Sequence, residues 1–376
     1  MAATSRAPRS LAKRLLFAGI PLLFVLGALE VVVRVFELDQ DCPNGYKEFG
    51  VWACDPILNF KLRPDLVAAG KPLNRAGFRS REFTPKEPGV FRILSLGDSC
   101  TLGILTTGVF GFDFVPEPYP QQLERLAARR LGAGKVEVLN AGIAGYNSFQ
   151  GVMLLRSKLR DLEPDLITVR YGWNDHFLST VDTGVYSYRE PESELILGLQ
   201  DLLLRTSLYG FFRRVGLEIQ ALRAPSTPPA SSQELPKQWV PSVPPDAYAH
   251  NLRRIVALGR ARGAHVWLLT SPHAFVIDSN RGQGERFPMS AKELLAYNAI
   301  ESFDHLIEIH ERYNQITRDV GAELGVPVVD MDAVYRAHAR EPLFLPTDVP
   351  HPTPRGHALE AETLYDRLVA EGLLRP

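Results

Sequence analysis

Five positions carry residue types suited to one chemistry: Ser99, Gly142, Asn174, Asp348 and His351. Acyl transfer by serine needs a hydroxyl, a base to take its proton, a group that fixes the base's tautomer, and donors where an oxyanion develops. Ser99 supplies the hydroxyl. His351 is the natural base, because an imidazole with a reference pKa of ~6.5 accepts and returns a proton near neutrality. Asp348 lies three residues earlier on the same stretch, within reach of the far imidazole nitrogen. Pro350 and Pro352 stiffen that stretch, and Pro352 biases His351 away from helix. The backbone N–H groups of Ser99 and Gly142, with the Asn174 side-chain amide, are the expected oxyanion donors. Removing one such donor typically costs ~3 kcal/mol of barrier stabilisation.

These residues have to be brought together by the elements that precede them. Phe91 to Leu96 is, Arg92 aside, an apolar run of strand length that stops at Gly97, as in a strand buried on both faces. Ser99 then emerges on a sharp turn at the carboxyl end of that strand, the edge where open α/β sheets bind ligands. Ser99 is a candidate nucleophile there, and the same turn is equally readable as a plain strand-to-helix cap. Val136–Leu139, Asp165–Tyr171, His265–Thr270 and Val326–Met331 read as four further strands. Helical spacing runs through Tyr119–Leu131, Gln150–Leu162, Tyr248–Arg262, Leu306–Leu324 and Ala358–Leu373, the last with Thr353 as N-cap and Pro354 in its first turn. Alternating strands and helices imply right-handed crossovers and a parallel, doubly wound sheet. Ser99, Gly142, Asn174 and the Asp348/His351 pair each follow one of those strands, so one sheet edge gathers them.

The alternation is interrupted twice, at about 177–245 and 273–305. The first insertion holds an amphipathic stretch, Leu195–Leu222, and a Pro/Ser-rich span, Ala224–Pro245, which read as helix followed by loop. The domain with these insertions spans 91–376. An irregular segment, 37–90, precedes it. Its basic run Asn74–Phe83 is either a solvated loop or edge strand, or a contact for an anionic substrate. Cys42 and Cys54 either bridge, stabilising by ~2–3 kcal/mol, or remain as two free thiols.

At the N-terminus, Arg6, Arg9, Lys13 and Arg14 (within residues 1–14) precede the apolar run Leu15 to Val33, interrupted only by Glu30. At ~1.5 Å per residue, some twenty such residues cross a ~30 Å hydrocarbon core. Basic residues before the run and Glu37, Asp39 and Asp41 after it place the N-terminus in the cytoplasm and the rest outside the inner membrane, in the periplasm. The expectation is a single transmembrane helix over 15–36; a cleaved signal peptide is the competing reading.

Composition narrows the rest. With 376 residues, 45% of them hydrophobic, the chain can bury a large core, and a net charge of −1 offers no global attraction for nucleic acid. No HExxH or CxxC spacing occurs, so neither a metal nor another cofactor is expected. Asp98 and Asp175 are assigned to loop hydrogen bonds, Trp173 to packing or a sugar platform, and His176 to the surface or the cleft edge.

In order along the chain, Gly97-Asp-Ser-Cys-Thr-Leu-Gly103, Asn140-Ala-Gly142, Gly172-Trp-Asn-Asp175 and Asp348-Val-Pro-His351 resemble the four sequence blocks of the SGNH/GDSL hydrolases. The resemblance covers roughly Phe91 to Leu374 and implies a flavodoxin-like three-layer α/β/α sandwich with a five-stranded parallel sheet. It also implies a serine nucleophile, a glycine N–H and asparagine oxyanion hole, and a DxxH acid–base pair, roles that fall on Ser99, Gly142, Asn174, Asp348 and His351. Cys100 departs from the family name, which has leucine there; its side chain is expected to pack beneath the loop. Three functions fit: a membrane-anchored serine esterase acting on an acylated envelope glycan or lipid, an acyltransferase passing the acyl group to a sugar hydroxyl, and a non-catalytic scaffold that keeps the fold.

Overall fold

The computed structural model describes residues 11–39, 52–63, 66, 72–106, 112–180, 191, 193–223, 239–274, 301–346 and 348–375. Its centre is a sheet of five parallel strands: β1 (Phe91–Gly97), β2 (Val136–Gly142), β3 (Leu166–Arg170), β4 (His265–Leu269) and β5 (Val328–Val329). Their spatial order is β5-β4-β3-β1-β2. The order therefore reverses at β1, which has β2 on one side and β3 on the other, and a doubly wound sheet opens its ligand crevice at that reversal.

Alternate residues of each strand feed two hydrophobic layers, as the two-residue period of a strand requires. On one face Leu94, Leu96, Ile167, Val169 and Leu268 pack against Val152, Leu252, Ile255 and Val320 of helices Ser148–Arg156, Pro245–Arg260 and Phe303–Leu324. On the other, Ile93, Val138, Leu166 and Trp267 meet Leu123, Ala127, Leu364 and Leu368 of helices Tyr119–Leu131 and Pro354–Ala370. The result is a three-layer α/β/α arrangement, with helices on both faces of strands that are buried except at their first residues, such as Phe91 and His265, as expected for a parallel sheet.

Several boundaries differ from the sequence reading for local reasons. β2 continues through Asn140-Ala-Gly142, paired residue by residue with β1 up to Gly97↔Gly142. The helix expected over 150–162 starts at Ser148, because Asn147 and Gln150 form a capping box, and ends at Arg156. Asp330 caps a short helix, Met331–Ala337, where strand was expected to finish. The amphipathic stretch 195–222 is two helices, Glu194–Leu203 and Ser207–Arg223, broken where the Thr206 hydroxyl bonds the Leu203 carbonyl and accepts from the Tyr209 N–H. The Pro/Ser-rich part of the first insertion and most of the second lie outside the described residues.

Ahead of the sheet, a 25-residue helix covers Leu11–Val35. Among the described residues no single helix is long and apolar enough to cross a membrane; the pair Leu195–Leu203 and Ser207–Ile219 passes only when its two arms, bent by 100°, are taken together. A hairpin, Trp52–Asp55 with Asn59–Leu62, then packs on the loop after β2, where Trp52 donates to the Ala144 carbonyl and Tyr146 to the Phe60 carbonyl. Cys54 in this hairpin is disulfide-bonded, Cys42 lies outside the described residues, and Cys100 is a free, buried thiol.

Candidate active site

The turn after β1 is built by close approach of backbone to backbone. A Cβ on Gly97 would stand 2.1 Å from the Thr101 hydroxyl and 2.8 Å from the Arg170 carbonyl; one on Gly142 would stand 2.4 Å from the Leu102 nitrogen. The two strand ends thus need glycine to let the short helix Ser99–Leu102 sit directly on them. Asp98 caps that helix by accepting from the Cys100 N–H at 2.9 Å, and Gly103, left-handed at φ 78°, ends it. Beneath the far end, the guanidinium of Arg79 donates to the carbonyls of Leu102, Gly103 and Val115. Arg79 is 4% exposed, and burial lowers its pKa to about 10. The basic run 74–83 is therefore, at this residue, an internal brace rather than a solvated loop or a substrate contact.

The base arrives on a loop closed on itself: Leu345 N–H bonds the His351 carbonyl at 3.0 Å, Thr353 N–H the Leu343 carbonyl at 2.8 Å, and Phe344 bridges Pro352. Ala274 N–H, just past β4, holds the Val349 carbonyl at 3.1 Å. From this loop His351 reaches Ser99, with Nε2 2.8 Å from Oγ, while its Nδ1 lies 2.6 Å from Oδ2 of the buried Asp348. Hydroxyl, imidazole and carboxylate are in line, and the chemistry open to such a line is proton transfer from the serine with the imidazolium held by the acid. Cys100 adds a direct strut: burial pushes its thiol pKa well up, and the S–H donates to the Pro350 carbonyl, with sulfur 3.3 Å away.

The third strand end brings Asn174. The side chain of neighbouring Asp175 accepts from the N–H and hydroxyl of Ser148, at 3.0 and 2.5 Å, and from the Gly172 N–H at 3.0 Å. Burial lifts the Asp175 pKa to about 7, the Ser148 bonds opposing it. Asn174 itself is half-buried and donates through Nδ2 to the Tyr146 carbonyl at 2.9 Å.

The structure brings Ser99, Asp348 and His351 into contact and holds Asn174, which follows β3, against the loop after β2 through its bond to the Tyr146 carbonyl. It does not free Gly142 for an oxyanion. The Gly142 N–H is spent on the Asn140 Oδ1 at 2.9 Å, inside the sheet, and the residue is buried under Leu102. Among the described residues, the amides of Ser99 and Gly145 are two in this region that have no acceptor. Gly145 is half-exposed, directly precedes Tyr146, and has φ 86°, a left-handed turn that favours glycine. The glycine in Ile143-Ala-Gly-Tyr146 was the available sequence signal; a second glycine three residues upstream masked it.

The neighbouring aromatics and histidines are structural. Trp173 is 2% exposed and packs with Cys100, Leu306 and Val349, so it offers no platform to a sugar. His176 is buried, neither at the surface nor at the cleft edge; its Nε2 lies 2.9 Å from Nδ1 of His310, whose Nε2 donates to the Ser271 carbonyl at 2.6 Å. Desolvation holds both imidazoles below their ordinary pKa, His176 at about 3. His273, Glu311 and Asp332 have ligand atoms within 4.8 Å of one another, but Arg336 already bonds both carboxylates.

Residues 95–359 match the model of the GDSL-like lipase/acylhydrolase family. The chain belongs to this family, the SGNH/GDSL hydrolases, and is an ester-bond hydrolase. No curated protein matches it. Among solved structures it is similar to the lipase/acylhydrolase from Enterococcus faecalis, at 18% identity over 76% of this chain and 98% of that one, with a TM-score of 0.43. It is also similar to Axe2, an acetylxylan esterase from Geobacillus stearothermophilus, at 14% identity over 75% and 96% of the two chains, with a TM-score of 0.41.

Proposed function

We propose that the protein is a serine esterase that works through an acyl-Ser99 intermediate and removes acyl groups from an envelope glycan or lipid. The observation that carries this is the unbroken line from Asp348 through His351 to Ser99, at 2.6 and 2.8 Å, standing at the reversal in strand order. His351 Nε2 takes the serine proton as Oγ attacks the ester carbonyl. The carbonyl oxygen becomes an oxyanion facing the Ser99 and Gly145 N–H groups and the Asn174 amide. The imidazolium, steadied by Asp348, returns its proton to the leaving alcohol, and a water activated by the same imidazole then releases the acid.

In this reading the helix Leu11–Val35 is an uncleaved inner-membrane anchor, with the N-terminus cytoplasmic and the catalytic domain periplasmic. Its support is the row of basic residues ahead of it and the exposed apolar side chains around it, from Phe17, Leu23 and Phe24 to Val31 and Val35. The disulfide at Cys54 also suits an oxidising compartment.

The test is labelling of the full-length protein with a serine-reactive fluorophosphonate, followed by incubation with an acetylated oligosaccharide. Labelling at Ser99 that is lost in His351→Ala, with free acetate as product, is the expected result. Absence of labelling at Ser99 defeats the mechanism; acetyl transfer to an acceptor sugar without acetate release makes the protein a transferase instead.

A further inference from the structure

We propose that the inserted helix pair, Glu194–Leu203 and Ser207–Arg223, is a second membrane contact that lies in the outer lipid interface and fixes the catalytic domain against it. The inference rests on the anchor reading above. It begins at Glu30. This carboxylate sits inside the apolar N-terminal helix, with Val31, Val32, Val33, Val35 and Phe36 still to follow. A carboxylate there is costly unless it is bonded. Its Oε1 and Oε2 accept from the backbone N–H groups of Ser207 and Leu208, at 3.0 and 2.8 Å, and Arg34 donates to it at 2.6 Å. Glu30 thus takes up free N–H groups at the start of the second inserted helix.

That contact sets a depth. The corner between the two inserted helices is level with Glu30, more than one helical turn short of the last apolar residue of the anchor. From that corner the second helix climbs outward beside the anchor, since Arg214 donates to the Leu38 carbonyl at 2.6 Å and Arg213 to the Pro56 carbonyl at 2.7 Å. The first inserted helix is bent from it by 100° and so runs close to the membrane plane.

The exposed side chains agree with that placement. Leu195, Ile196, Leu199 and Leu202 are 79, 50, 52 and 60% exposed. At helical spacing they form one stripe, while Leu197, on the opposite side, is buried against the domain. There the Leu197 carbonyl and the Asp201 carboxylate are held by Arg156. Phe212 and Ile219 are exposed on the second helix as well. An apolar stripe held at this depth by a bonded carboxylate meets phospholipid headgroups and the upper acyl chains, as interfacial helices do.

Single cysteines replacing Leu202, Phe212, Leu23 and, as an aqueous reference, exposed Arg129 can carry an environment-sensitive fluorophore, because Cys54 is in a disulfide and Cys100 is buried. Each labelled full-length variant is reconstituted into vesicles of phosphatidylethanolamine and phosphatidylglycerol and checked for wild-type ester hydrolysis. The expected result is blue-shifted emission and loss of iodide quenching at positions 23, 202 and 212, but not at 129. Shielding at 23 with positions 202 and 212 quenched like 129 overturns the interfacial helices and leaves the anchor standing. Quenching at 23 as well removes both.

Discussion

Replacing Asp348 by asparagine keeps the side chain's volume and removes its charge, which isolates what the acid does for His351. In the structure the carboxylate is 1% exposed and 2.6 Å from Nδ1. As Ser99 attacks, the imidazole becomes an imidazolium, and the carboxylate is the charge that holds it. Between charge centres ~4 Å apart at an effective dielectric of about 20, that attraction is about 4 kcal/mol. Lost from the transition state alone, it corresponds to a rate reduction of about 10³-fold. The amide also offers Nδ1 a donor, which favours the tautomer with its proton on Nε2, where it cannot accept from Ser99. That pushes the expected loss toward ~10⁴-fold. The assay is kcat on p-nitrophenyl acetate beside a thermal melt. The loss should fall on kcat with Tm close to wild type, since the loop's backbone bonds and the Cys100 strut remain. A folded Asp348→Asn protein that keeps more than about a tenth of the wild-type kcat would refute the assignment of Asp348 as the group that holds the imidazolium.

Three further outcomes follow from the geometry. Asn174→Ala removes an oxyanion donor and should lower kcat by ~10²–10³-fold with little change in KM; unchanged kcat in steady-state assays would move the oxyanion elsewhere. Arg170 and Glu360, both 1% exposed at their side chains and 2.6 Å apart under the nucleophile turn, form a buried ion pair, so Arg170→Met should cost about 3–5 kcal/mol in denaturant melts, and adding Glu360→Leu should recover much of it. Asp175 is raised from 3.8 unfolded to about 7 folded, so the folded state keeps a proton that the unfolded state has lost. Stability should therefore fall as pH rises through that window, by at most ~1.4 kcal/mol per pH unit, and an Asp175→Asn protein with the same slope in urea midpoints would show that another group is responsible.

The strands and the Ser99 turn were legible because their signals are local. Phe91–Leu96 is apolar without interruption and Gly97 marks its end; Asp348 and His351 are three residues apart on a proline-stiffened stretch. Gly142 was misread because its fate depends on a side chain. Asn140 turns back to take its N–H, extends β2 and hands the exposed turn to Gly145. The brace from Arg79 and the Arg170–Glu360 pair depend on partners 24 and 190 positions away, and no pattern in the chain announces such contacts. Trp173, next to Asn174, takes the packing role expected of it rather than the sugar platform, and His176 was given surface or cleft options by proximity in sequence. In a four-residue helix adjacent side chains point in different directions, and theirs point inward.

The separation of Ser99 from His351 by 252 positions has a consequence for synthesis. A ribosome finishes the nucleophile turn well before it makes the base, and the loop carrying the base is braced by the last long helix, Pro354–Ala370. Until that helix has left the ribosome and docked, the nascent chain holds an ordinary, unactivated alcohol. An ester hydrolase whose imidazole arrives last is thereby inert until its own C-terminal helix has docked.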